Sequence, residues 1–125
     1  MTIRVVKKIE GDVIDGVNEM MNAMIDDYTN FMNPDLSETK KRMNKEFIDN
    51  LTYTVGKKYI KVIERNGGVK AFVVGVDNDK KFKLGDILLP AGYNAPARNF
   101  ARGNILDGDY TIAWTGALYA GGTPR

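Results

Sequence analysis

The sequence contains no cysteine and no histidine among its 125 residues. Without cysteine the chain forms no disulfide bond and has no thiolate chemistry, which fits a cytosolic protein. The two absences together exclude Cys/His zinc sites, Ser-His and Cys-His nucleophile systems and the usual general base. A site built from carboxylates alone needs clustered acids, and the acids here are scattered. We therefore expect a protein that is not an enzyme and that uses no metal or cofactor.

Long apolar runs are missing as well. The longest, such as 71–74 and 87–89, have only a few residues, whereas a membrane-spanning helix needs about 20. No membrane partner is expected. A composition of 43% hydrophobic and 27% charged residues is that of an ordinary globular protein, and the length predicts a single domain over 1–125.

The net charge of +2 is distributed unevenly. Residues 1–50 have seven Lys/Arg and ten Asp/Glu, a balance of −3, whereas residues 51–125 have eleven and six, a balance of +5. The second part is therefore the better candidate for binding phosphate groups. It lacks the long basic runs of strong nucleic-acid binders, and a compact phosphorylated ligand fits this charge as well as DNA does.

Hydrophobic spacing predicts two helices within residues 1–51. The first begins at Asp12, runs for about 20 residues and ends near Asn33-Pro34, because the residue before proline disfavours the helical conformation. A second helix is predicted from Pro34-Asp35, with Ser37 as an alternative cap, to about Asn50. The apolar face of the first helix consists of Ile14, Val17, Met21, Met24, Tyr28 and Phe31.

The rest of the chain has strand-like patterns. Asn66-Gly67, between two β-rich runs, is a strong hairpin signal because both residues tolerate positive φ. The predicted strands are 2–9, 52–65, the run after Gly67, 82–89 and 110–114. The fold class is therefore α+β, with an N-terminal helical hairpin followed by a small antiparallel meander or a partly closed, barrel-like sheet. Residues 52–125 are the β-rich, ligand-binding part.

The segment from Asp86 to Tyr110 concentrates the unusual side chains. Arg98 and Arg102 are four residues apart, so a helical turn over 97–102 would place both on one side, where they could grip one phosphate. The alternative is that the arginines pair with Asp86, Asp107 or Asp109, or cover apolar surface.

Three rings and several polar groups accompany these arginines. Phe82, Tyr93 and Phe100 are candidates for stacking on a nucleobase, although each ring could instead pin its loop to the core. Asp109 could accept a hydrogen bond from a ribose hydroxyl, and its default interpretation is a turn residue. Asp77-Asn78-Asp79 is predicted to form a turn, since the sequence lacks the glycine and the final acid of a calcium loop.

Three stretches, KYIKVIERNGGVKAFV, GDILLPAGYNAPARNFARGNILDGDY and WTGALY, carry a family resemblance that covers about half of the chain. They resemble small phage proteins of the first type of Thoeris anti-defence family. That resemblance implies a homo-oligomer, a dimer or a trimer of dimers, in the cytoplasm of an infected or lysogenic bacterial host. It implies binding of gcADPR, a cyclic ADP-ribose isomer made by bacterial TIR enzymes, without cleavage.

Site roles follow from the resemblance only where the motif matches. Arg98 and Arg102 would contact phosphate, Asn94 and Asn99 the base or ribose, and one or more of Phe82, Tyr93 and Phe100 would stack on adenine. Some members of that family also hold cyclic oligonucleotide signals at a separate site.

Two other functions stay open on the sequence alone. The helical hairpin could be the contact surface of a phage protein that inhibits a host enzyme by direct binding. The basic sheet could serve a small nucleic-acid-binding protein, although the modest charge excess makes nucleic acid the less favoured partner.

Overall fold

The structure is a computed structural model that describes residues 4–6, 11–32, 37–65, 67–108 and 110–117. Two helices, α1 (Val13–Met32) and α2 (Glu38–Asn50), follow a short strand β1 (Arg4–Val6). Six further strands complete the described elements: β2 (Leu51–Val55), β3 (Tyr59–Glu64), β4 (Gly68–Val74), β5 (Ile87–Leu88), β6 (Tyr110–Ala113) and β7 (Gly116–Ala117).

The two helices form the predicted hairpin. Tyr28 of α1 stacks on Phe47 of α2, and the Thr29 hydroxyl donates to Asn44 Oδ1 at 2.9 Å, so the helices run antiparallel. The alternative cap is the observed one: Ser37 Oγ accepts a hydrogen bond from Lys40 N at 3.0 Å and begins α2. The outer end of the predicted apolar face is open, since Phe31 is 48% exposed.

Four strands form an antiparallel meander in the order β2-β3-β4-β5. The predicted turn before Gly67 lies between β3 and β4 and is confirmed by their antiparallel pairing. The single predicted strand over 52–65 is wrong, because Gly56 N donates to Tyr59 O at 2.9 Å and closes a tight turn at Lys57-Lys58. Of the predicted strand over 82–89, only Ile87–Leu88 forms a β-strand.

The predicted fourth strand, 110–114, belongs to a different sheet. Its described strand, β6, pairs with β1 and with β7 in a second, three-stranded sheet. The predicted strand over 2–9 is found as Arg4–Val6 at the edge of this sheet. Neither sheet closes on itself within the described residues, so the meander is confirmed and the barrel-like alternative is wrong.

The meander is covered on both faces. On one face α1 supplies Val17, Met20 and Met24 to the main core. On the opposite face a smaller cluster buries Phe72 and Val74 of β4 against Phe82 and Ala101. The loops that hold the candidate site therefore cover the sheet face that the helices leave open. Neither described helix has the length and apolarity needed to cross a membrane.

Candidate functional site

The segment after β5 runs back along the outer edge of that strand. Ile87 N donates to Gly103 O at 2.9 Å, Arg102 N to Ile87 O at 2.7 Å, and Ala97 N to Leu89 O at 2.7 Å. Residues 97–102 therefore lie extended beside β5 and contain no helical turn. The helical turn that would place Arg98 and Arg102 on the same side of the segment is therefore not formed.

Arg98 pairs with an acid that sequence reasoning did not select. Its two terminal nitrogens each approach one Asp79 carboxylate oxygen at 3.0 Å, a bidentate arrangement. Arg98 Nη1 also donates to the Tyr59 hydroxyl. Among the described acids, Asp79 is thus the carboxylate partner of Arg98, in place of the predicted Asp86 or Asp107; the third predicted partner, Asp109, lies outside the described residues.

Electrostatics reinforces this pair. The Arg98 hydrogen bonds, followed by those of Lys58, hold the Asp79 pKa well below its usual range, and the backbone N–H groups of Phe82 and Lys81 add to the effect. The Asp79 carboxylate in turn raises the Arg98 pKa. A phosphate at Arg98 would therefore have to share or displace a firmly held carboxylate.

Arg102 faces a different group. Its guanidinium carbon lies 4.0 Å from the centre of the Phe100 ring, and the residue is only 3% exposed. A cation stacked on an aromatic face is attracted by the ring quadrupole. Arg98 and Arg102 thus lie over different rings, Phe82 and Phe100.

Tyr93 and Asn94 form a further cluster around Lys61. Lys61 of β3 donates to Tyr93 O and to Asn94 Oδ1, both at 3.2 Å, and its amine lies 4.1 Å from the Tyr93 ring centre. The Tyr93 ring is 61% exposed. It lines a shallow cavity of about 280 Å³ together with Val69, Pro90, Ala91 and Gly92.

The other predicted residues are placed as follows. Asn99 is exposed, and its Oδ1 accepts a hydrogen bond from Phe100 N at 2.9 Å. Phe82 is 5% exposed and packs in the smaller cluster. Asp109 lies outside the described residues.

Two of the predicted rings meet at one cavity. Phe82 and Phe100 line a space of about 200 Å³ together with Lys81, Asp86 and Ala101. Lys81 Nζ lies 5.5 Å from the Phe82 ring centre, and Arg98 lies 4.9 Å from the same ring. Rings beside several cations suit a flat, anionic ligand. Because ligand pockets usually measure about 300–1,000 Å³, a space of about 200 Å³ is too small to enclose a whole dinucleotide.

Asn104 is a structural residue of the candidate loop. It is 2% exposed and makes four hydrogen bonds: Nδ2 donates to Leu84 O and Asp86 Oδ1, and Oδ1 accepts from Leu106 N and Asp107 N. The Asp86 carboxylate, which lines the cavity, is therefore hydrogen-bonded to Asn104. A buried, fully hydrogen-bonded amide fixes the loop backbone.

Sequence reasoning missed Asp79, Lys81 and Lys61 as neighbours of the site. Asp79 gave one usable signal: its Oδ1 accepts from Lys81 N and Phe82 N, the local turn chemistry expected of Asp77-Asn78-Asp79. No signal in the sequence indicated that Asp79 would pair with Arg98, which lies 19 residues further along the chain.

No family model, curated protein or solved structure matches this chain. The assignment of ligand therefore depends on the residues and on the sequence resemblance described above.

Proposed function

We propose that this protein binds and sequesters a cyclic ADP-ribose isomer, gcADPR, made by bacterial TIR enzymes, and releases it unchanged. The observation that supports the proposal most directly is the cavity between Phe82 and Phe100 with Lys81 at its side. A nucleobase would stack on Phe100, with Phe82 as the buried wall of the cavity, and the pyrophosphate would lie toward the cations. The lack of Cys and His in the sequence suits a protein that holds its ligand and does not transform it.

The size of the cavity adds a second element to the proposal. A space of about 200 Å³ in one chain leaves part of the ligand outside. A homo-oligomer, a dimer or a trimer of dimers, would place a second protein surface over the exposed part of the ligand. The protein would act in the cytoplasm of an infected or lysogenic bacterial host. Cyclic oligonucleotide signals are a second class of ligand in this proposal, and their binding should be compared with that of gcADPR.

The decisive measurement is isothermal titration with gcADPR. The variant is Phe100→Leu, which removes the ring and keeps apolar bulk, and its matched control is Tyr93→Leu in the other cavity. Loss of one base-stacking ring costs roughly 1–3 kcal/mol, so we expect Phe100→Leu to weaken binding about tenfold or more. Tyr93→Leu should bind as the parent chain does.

The ligand recovered after heat denaturation should have its original mass and retention time. No binding of gcADPR by the parent chain, or a cleaved product, would contradict sequestration. Equal losses in both variants would show that the cavity is misassigned. Arg102 is a poor test position, because a residue only 3% exposed also affects folding.

One observation favours a second function, inhibition of a host enzyme by direct contact. Phe31, Met43 and Ile48 on the helical hairpin are 48%, 39% and 41% exposed. Apolar side chains on a helical pair can form a protein-binding surface. Replacing Phe31 and Ile48 by serine would separate the two functions, because gcADPR binding should be unaffected by these changes.

A further inference from the structure

The residues that line the Phe82/Phe100 cavity include one acid, Asp86, which directly precedes β5. Asp86 is only 5% exposed. Burying a carboxylate is costly unless it is paired, and none of the ion pairs found among the described residues includes Asp86. Asp86 therefore brings a buried carboxylate into the cavity without a lysine or arginine partner in the described part of the chain.

Hydrogen bonds fix the position of this carboxylate. The Asp86 carbonyl oxygen accepts from Val74 N at 2.9 Å, and Asp86 N donates to Lys83 O at 3.1 Å, so its backbone is held on both sides. In the side chain, Oδ1 accepts from Asn104 Nδ2 at 2.9 Å and Oδ2 accepts from Lys83 N at 3.1 Å. A group held in place before the ligand arrives loses little freedom on binding. The carboxylate is therefore pre-organised to contact a ligand.

The carboxylate has acceptor capacity that the described residues do not use. An ionised carboxylate accepts about four hydrogen bonds and donates none. Among the described residues, Asp86 accepts two, one on each oxygen. Only a donor can use the remaining positions, because an acceptor placed there would meet lone pairs without a proton between them. The Asp86 side of the cavity therefore suits a ligand group that carries an N–H or O–H.

The charges around the cavity orient a nucleotide within it. Lys81 Nζ lies 5.5 Å and the Arg98 guanidinium carbon 4.9 Å from the centre of the Phe82 ring. Phosphate is attracted to these cations and repelled by the Asp86 carboxylate, so the base is the part of the ligand that faces Asp86. The ring nitrogens of adenine accept hydrogen bonds, and its exocyclic amino group donates. That amino group is therefore the part of the adenine edge that suits the carboxylate.

We propose that Asp86 selects the base of the ligand by accepting a hydrogen bond from its exocyclic amino group. The base stacks on Phe100 and points its amino group at the carboxylate. Carboxylates recognise the amino group of cytosine in the same way. This inference rests on the proposed function, since the ligand is gcADPR, and it adds the residue that recognises adenine.

The first test compares two ligands on the parent chain by isothermal titration. One is gcADPR and the other is its analogue with purine in place of adenine, which keeps the ring system and lacks only the amino group. Because a hydrogen bond to a charged group is lost, we expect the analogue to bind about 10- to 100-fold more weakly.

The outcomes of this comparison separate the two proposals. Equal affinity for both ligands would overturn base selection by Asp86 and leave sequestration intact, with a ribose hydroxyl as the alternative donor. A parent chain that binds neither ligand would overturn the proposed function, and base selection with it.

The second test repeats the comparison in Asp86→Asn. The asparagine amide has one acceptor oxygen, whereas Asn104 and Lys83 both donate to Asp86, so we expect lower stability and the titrations are made well below the unfolding temperature. The preference for gcADPR over the purine analogue should be lost, because the remaining oxygen is used within the protein. A solely structural role would weaken both ligands by the same factor and keep the preference, which would overturn the proposal. The comparison on the parent chain needs no variant, so it decides the question even if Asp86→Asn does not fold.

Asp107→Asn is the matched control. Asp107 is an exposed acid that pairs with Lys83 Nζ at 2.6 Å, and it is not among the residues that line the cavity. Its replacement removes the same charge from the same region and should leave the preference for gcADPR over the purine analogue unchanged. An equal loss of preference in both variants would assign the effect to net charge and overturn the role of Asp86.

Discussion

Asp79 joins three parts of the chain that are far apart in sequence. Its carboxylate pairs with Arg98 of the edge segment and with Lys58 Nζ, 2.9 Å away in the β2–β3 turn. It also accepts the backbone N–H groups of Lys81 and Phe82. The Asp79 side chain thus connects the segments around the Phe82/Phe100 cavity to the β2–β3 turn of the sheet.

The lowered Asp79 pKa makes this contribution dependent on pH. Since the folded-state pKa lies below the unfolded value of about 3.9, the stabilisation is fully present above that value and is lost as pH falls through the folded-state pKa. We expect Asp79→Asn to lower the free energy of unfolding by a constant amount near neutral pH. The difference from the parent chain should shrink below about pH 4, as measured by urea unfolding across pH.

The matched control for this measurement is Asp77→Asn, an exposed acid of the same turn. It should change the free energy of unfolding little. A gap between Asp79→Asn and the parent chain that stays constant down to the lowest pH would show that the Asp79 pair does not titrate as described.

At the scale of elements, the short strand β7 lies close against β4. A Cβ atom at Gly116 would collide with the carbonyl oxygen of Lys70, and Gly116 has φ +125°, a conformation that other residues rarely adopt. This glycine therefore lets the three-stranded sheet approach the meander. Gly92, in the candidate loop, has no atom within 4 Å of a built Cβ and no positive φ.

The two glycines give a paired prediction. Gly116→Ala should lower the free energy of unfolding by about 2 kcal/mol or more, because both the backbone conformation and the close approach are lost. Gly92→Ala should be neutral or slightly stabilising. Chemical denaturation followed by circular dichroism measures both, and equal stability of the two variants would contradict the packing of β7 on β4.

At the scale of the whole molecule, an aromatic cluster connects the helices to the three-stranded sheet. Phe47 of α2 stacks on Tyr28 of α1 with ring centres 4.3 Å apart, and Trp114 at the end of β6 lies 5.1 Å from Tyr28 and 6.3 Å from Phe47. Asp27 Oδ2 accepts the Trp114 backbone N–H at 2.7 Å. Helical hairpin and sheet are therefore one packed unit.

Truncating the centre of this cluster should destabilise the entire protein. Phe47 is 2% exposed, so Phe47→Ala should lower the free energy of unfolding by about 3–5 kcal/mol through lost burial and a cavity. Met43→Ala, on the same helix at a 39% exposed position, is the control and should cost far less. The single tryptophan reports the change, with one cooperative fluorescence transition expected in each variant.

Local signals account for the parts of the fold that the sequence predicted. The spacing of apolar residues gives α1 its bounds, Ser37 begins α2 through its own hydroxyl, and Asn66-Gly67 locates the β3–β4 turn. The Lys57-Lys58 turn was missed because two lysines carry no special turn chemistry. Strand 110–114 was predicted, but its partner was not, since β6 pairs with β1 more than a hundred residues earlier in the chain.

The candidate site was likewise predicted from the sequence only in part. The sequence by itself determined that Asp86–Tyr110 would be irregular, cationic and aromatic, because prolines, glycines and arginines produce those properties wherever the segment lies. Only the tertiary structure decided that this segment covers the β5 edge, that Arg98 meets Asp79, and that Phe82 and Phe100 line one cavity. Those outcomes depend on contacts between distant residues, which side-chain periodicity and turn chemistry do not encode.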